Sequence, residues 1–158
     1  MLQQTVARVA KQPGRTRALN FFLVNRRFYL VDLPGYGFSR VSQELRAQWG
    51  RELRQYLLNE ERLCGVMCLV DIRIGPTPLD LELQEFLQAA GRDRLVVLTK
   101  ADKIGRGRRA ATQQAVQRQL GLPTPPPAVS VRTGEGRREL LARVHEVVAE
   151  WIERQRRE

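Results

Sequence analysis

The chain is poor in the residues that build metal and disulfide sites: its 158 residues include two cysteines and one histidine. A structural zinc site takes four ligands, so His145, Cys64 and Cys68 cannot supply one. The two thiols border and enter the apolar run CGVMCLV, 64–70, and read as core residues. His145 lies between valines of a helical pattern and reads as a surface or boundary residue. No apolar run approaches the roughly 18 residues of a membrane span, and the N-terminus has no signal-peptide core. The expectation is a cytoplasmic protein with no membrane partner. Acidic residues are scarce beside basic ones, 17 against 27, and the formal charge of +10 favours a polyanion, with nucleic acid or a ribonucleoprotein the first expectation. The arginine clusters, GRGRR at 105–109 with Arg137, Arg138, Arg154, Arg156 and Arg157, lack the stacking aromatics of an RNA-recognition module. Salt-sensitive phosphate contacts suit them, with a solvated helix face as the plain alternative.

A further absence concerns a motif. The stretch FYLVDLPGYGFSR, 28–40, runs an apolar strand into an aspartate and a Pro-Gly turn. Asp32 at the strand end can hold a magnesium-bound water. Gly35 can offer its N–H to a terminal phosphate because no Cβ blocks the approach. The loop that grips the other phosphates in such sites, G-x-x-x-x-G-K-S/T, does not occur in residues 1–27.

The length fits one domain, 1–158. LNFFLVN (19–25) and FYLVD (28–32) predict an antiparallel hairpin turning at Arg26 and Arg27. Leu45, Trp49, Leu53, Tyr56 and Leu57 share one helical face, with Ser42 as N-cap. GVMCLVDI (65–72) and RLVVLT (94–99) are continuous apolar runs, the pattern of strands buried on both faces. Between them Leu79, Leu83, Phe86, Leu87 and Ala90 predict a helix that Gly91 ends. A basic helix over about 107–120, a short strand within PPPAVSV (125–131) and a final helix on Leu140, Leu141, Val144, Val147, Val148, Trp151 and Ile152 complete the order. Alternating strands and helices predict an α/β fold with a mostly parallel sheet. Trp49, Tyr56 and Trp151 read as helix anchors in the core, and Arg73 with Asp80 as an ion pair shaping the loop IGPTPL.

Ligands of such sheets bind at the carboxyl ends of the strands. TKAD, 99–102, closes one strand there. The Asp102 carboxylate can accept two adjacent N–H groups, which guanine presents at its ring nitrogen and amine and adenine does not. The stem of Lys100 can lie along base or ribose, and backbone N–H groups after Ser130 can meet the guanine carbonyl. A flavodoxin-like sheet would show the same alternation but would not explain TKAD downstream of DLPG.

PGRTRALNFFLVN, LVDLPGYGFSRV, LVDIRIGPTPLD, VVLTKADKIGRGRR and SVRTGEG together resemble the EngB family of bacterial GTPases, relatives of Ras-like G domains, from about residue 7 to about residue 152. The resemblance implies a three-layer GTPase fold with one antiparallel hairpin strand, Mg²⁺ and GTP or GDP as ligands, and a monomeric switch. It also implies work in assembly of the large ribosomal subunit and in normal cell division. Gly14, Arg15, Thr16 and Arg17 match the first switch, with Thr16 and Asp32 toward Mg²⁺. Asp32, Leu33, Pro34 and Gly35 match the γ-phosphate sensor. Thr99, Lys100, Ala101 and Asp102 match the guanine reader, and Val129, Ser130 and Val131 the loop behind the base. Many relatives have a small residue where Val131 stands. Tyr36 stands where Ras-type proteins orient water with glutamine, so slow hydrolysis is expected, as it is if Tyr36 only packs the loop.

VARVAKQPGRT resembles the segment after the family's first helix, so the first strand and phosphate loop are expected to be missing from these residues. A misplaced start or a fragment would account for this. So would a degenerate chain that only binds ribosome or RNA.

Overall fold

In the computed structural model, residues 8–9, 20–33 and 43–157 are described. Contacts divide the chain into two compact units, Met1–Asn59 and Glu60–Glu158.

The first unit holds a three-stranded antiparallel sheet in the order β1 (Arg8–Val9), β2 (Asn20–Val24), β3 (Phe28–Asp32). The alternating β-prone runs pair as expected, with Phe21 opposite Val31 and Asn20 opposite Asp32. Asn25 and Arg26 turn the hairpin at φ 48° and 55°. Two left-handed residues in succession match the right-handed twist of the flanking strands. The rings of Phe21 and Tyr29 meet edge to face, centroids 6.3 Å apart. Helix α1, Gln43–Asn59, follows, with Leu57 buried. Ser42, its expected cap, and the side chain of Trp49 lie outside what is described.

In the second unit β4 (Val66–Asp71) and β5 (Arg94–Thr99) pair in parallel, joined by α2 (Pro78–Ala89). Val66, Cys68 and Val70 are buried on one face of β4, and Val96, Val97 and Leu98 fill the centre of β5. Burial of this kind stabilises at about 25 cal/mol per Å² of apolar surface. The start of α2 is set by a capping box: Thr77 Oγ1 accepts from Asp80 N, and Asp80 Oδ2 accepts from Thr77 N at 2.8 Å. Asp80 therefore closes the helix start, while Arg73 turns to Asp71, so the ion pair expected between Arg73 and Asp80 gives way to two separate local contacts.

Helix α3, Arg106–Leu120, buries only Val116 and Leu120 and ends at Gly121 in the left-handed region. The strand expected within 125–131 is a single parallel bridge, Leu98 to Ala128. Pro125, Pro126 and Pro127 lack N–H donors, so a ladder cannot form along that run. Helix α4, Arg137–Gln155, differs from its sequence pattern, for none of its residues is fully buried, and Leu141 and Ile152 are exposed. Trp151 is half-buried, less enclosed than a core anchor. Val147 still packs so tightly over Gly65 that a Cβ there would stand 2.8 Å from its Cγ1.

Candidate nucleotide-binding site

The last residue of β5, Thr99, donates its hydroxyl to the Val70 carbonyl at 3.2 Å and so ties the ends of the parallel pair together. Lys100 then takes φ 61°, ψ 36°. A left-handed side-chain residue costs about 1–2 kcal/mol and persists where its surroundings fix it. The turn delivers Ala101–Lys103 as one 3-10 turn, with Ala101 fully buried and its N–H donated to Val129 O at 3.0 Å. Asp102 is thereby held against the segment that carries Ser130.

Ser130 is 2% exposed, and its hydroxyl donates to Asp102 Oδ1 at 2.7 Å. Ser130 Oγ in turn accepts Thr133 N at 3.3 Å, while Ser130 N donates to Glu135 O and Gly134 N to Ser130 O, closing a tight loop. That loop requires glycine at position 136: φ is 73°, and a Cβ would collide with the Ala128 carbonyl. Arg132 Nε donates to Asp102 Oδ2 at 3.1 Å, and Lys103 Nζ stands 3.8 Å from it. The Ser130 hydroxyl above all, then the backbone N–H of Asp102 and the Arg132 and Lys103 charges, hold the Asp102 carboxyl below the usual carboxylate range. It is an ionised acceptor at neutral pH. Val129 is buried and Val131 is fully exposed, so the three residues of the expected loop share one turn but not one environment.

A second carboxylate, which the sequence reading did not assign to the site, stands at the matching end of β4. Asp71 accepts Arg73 through Nη2 at 2.6 Å and Nε at 2.9 Å, and takes Lys100 Nζ at 2.9 Å. The Arg73 guanidinium, with the Lys100 ammonium behind it, holds the Asp71 carboxyl far below its ordinary value. The available signal was its place as the last residue of a buried strand in register with Thr99.

In the first unit, Asp32 ends β3 with its carboxylate exposed and in contact with Asn20 Nδ2 at 3.4 Å. Leu33 is half-buried beside it. One carboxylate is a suitable donor set for Mg²⁺, which keeps waters and takes its other ligands from phosphates. No cluster of three or more metal-ligating side chains occurs among the described residues. Gly14, Arg15, Thr16, Arg17, Pro34, Gly35 and Tyr36 lie outside the described residues.

The arginine clusters divide. Arg109, part of GRGRR, is mostly buried and ion-paired with Glu135, Arg154 is paired with Asp93, and Arg156 with Glu153 at 3.1 Å. Arg106, Arg108, Arg137 and Arg138 are exposed. No helix among the described residues is long and apolar enough to cross a membrane.

The chain has the fold of the α/β GTPase domains. Its solved likenesses agree: a probable GTP-binding protein EngB superposes with TM-score 0.69 at 17% identity, covering 94% of this chain and 86% of that one. Era, solved in complex with MgGDPNP and nucleotides 1506–1542 of 16S ribosomal RNA, superposes with TM-score 0.67 at 22% identity, over 90% of this chain and 48% of Era. Residues 1–100 match the family model described as 50S ribosome-binding GTPase. The chain is 45% identical over 152 residues to the probable GTP-binding protein EngB of Pelotomaculum thermopropionicum, covering 95% of this chain and 75% of the relative. It is 41% identical over 148 residues to that of Syntrophus aciditrophicus, covering 94% and 76%. The chain belongs to the EngB family of GTP-binding proteins.

Proposed function

We propose that the chain reads guanine through Asp102, with Thr99, Lys100, Ala101 and the turn at Val129, Ser130 and Val131 forming the base site. The observation that carries this is the Asp102 carboxylate, hydrogen-bonded by the buried Ser130 hydroxyl, held ionised and only 8% exposed. Two adjacent acceptor oxygens fixed in this way suit the paired N–H groups of guanine, and charge-assisted bonds of this type are the strong ones. Asp32 would face Mg²⁺ and, with Thr16 and Gly35, the γ-phosphate.

The family's GTP-to-GDP cycle would then serve assembly of the large ribosomal subunit in the cytoplasm, with normal cell division and septation depending on it. The description 50S ribosome-binding GTPase, the RNA-bound state of Era and the +10 charge support that assignment. Residues 1–27 contain no G-x-x-x-x-G-K-S/T sequence, so these 158 residues would bind GTP weakly.

The test is competition by guanosine and adenosine, monitored on the Ser130 and Asp102 resonances, in the parent and in Asp102→Ala. Guanosine preference lost in the variant supports the reading. An unchanged preference rules out Asp102 as the reader, and micromolar or tighter binding of labelled GDP overturns the weak affinity.

A further inference from the structure

Arg132 occupies the carboxylate that the guanine edge needs. Asp102 already receives two hydrogen bonds, the Ser130 hydroxyl on Oδ1 and Arg132 Nε on Oδ2, and its side chain is only 8% exposed. A carboxylate offers about four acceptor positions. Guanine would need one on each oxygen, and a carboxylate this enclosed admits the base edge only if a group that covers it moves aside. The Ser130 hydroxyl is fixed, since Ser130 is 2% exposed and its oxygen also accepts Thr133 N. The Arg132 side chain is 72% exposed and can swing away into water at little cost.

We infer that Arg132 is a built-in competitor for the guanine site, its guanidinium offering Asp102 the same kind of N–H donor that the base offers, so that base binding must displace it. The inference rests on Asp102 being the guanine reader. The contact has a defined energetic scale. An exposed ion pair is weak, so its removal should tighten guanosine binding by about two- to fivefold. Added salt screens the pair, so the difference between parent and variant should narrow as ionic strength rises. An ammonium lacks the planar fork, so Arg132→Lys should fall between parent and alanine.

The experiment measures guanosine and adenosine affinity of the full chain by NMR titration at low and high salt, for the parent, Arg132→Ala and Arg132→Lys. Tighter guanosine binding by Arg132→Ala, with a gap that closes in salt, supports the role. Guanosine preference in the parent with equal or weaker binding by Arg132→Ala overturns the competitor alone. No guanosine preference in any form overturns the competitor and the base-reading assignment together.

Discussion

The Lys100 ammonium lies 2.9 Å from Asp71 Oδ2, which places a residue of the TKAD motif in an ion pair with the end of the neighbouring strand. Arg73 shares that carboxylate through two nitrogens. The lysine's position is thus set by a residue 29 places earlier in the chain, through the register of a parallel pair.

This pairing gives stability a defined pH dependence. The folded-state pKa of Asp71 is depressed, so its contribution is complete above the unfolded carboxylate value of about 3.9 and is lost as pH falls below it. Asp71→Asn should lower stability at pH 7 and flatten the acid limb of the stability curve below about pH 4, as measured by urea unfolding across pH. An acid limb as steep as the parent's would remove Asp71 from this role.

Ser130→Ala deletes the hydroxyl that contributes most to the depressed Asp102 carboxyl. The Asp102 titration, followed by carboxyl NMR, should move up toward the ordinary value, and guanosine preference should fall with it. A parent-like titration would show that backbone and charge alone fix the group.

Gly136→Ala puts a Cβ at φ 73° against the Ala128 carbonyl. Left-handed strain alone costs about 1–2 kcal/mol, and the collision adds to it. A loss of about 2 kcal/mol or more is expected in denaturant unfolding, together with increased hydrogen exchange at Ser130 and Gly134. A stability change under about 0.5 kcal/mol, the range of ordinary surface substitutions, would contradict the geometry.

Arg137 and Arg138 are exposed at the start of α4. If they meet ribosomal phosphates, binding should weaken linearly in log salt, and Arg137→Ala with Arg138→Ala should reduce that slope by up to about two. Salt-insensitive binding to large subunits, measured by co-sedimentation, would exclude the contact.

Much of the fold follows from local pattern. RLVVLT predicts β5 to the residue, and the two β-prone runs around Arg26 and Arg27 give the hairpin, because strand period and turn chemistry are local properties. The two-residue β1 has too few positions for a period to be read. The apolar spacing of α4 implies a buried face that the structure leaves half-covered, since periodicity identifies a face but not how deeply its neighbours cover it. Asp102 and Ser130 are legible as motif residues, whereas Asp71 and Arg132 join the site through strand register and loop closure, which no spacing encodes.

The prolines after α3 also act on the protein's behaviour in concentrated solution. Past the one bridge at Ala128, Pro125, Pro126 and Pro127 offer a passing chain no row of N–H donors, and Pro126 and Pro127 are buried. The outer margin of β5 is therefore closed to strand recruitment from another molecule, a safeguard against edge-to-edge aggregation made from residues that cannot extend a sheet.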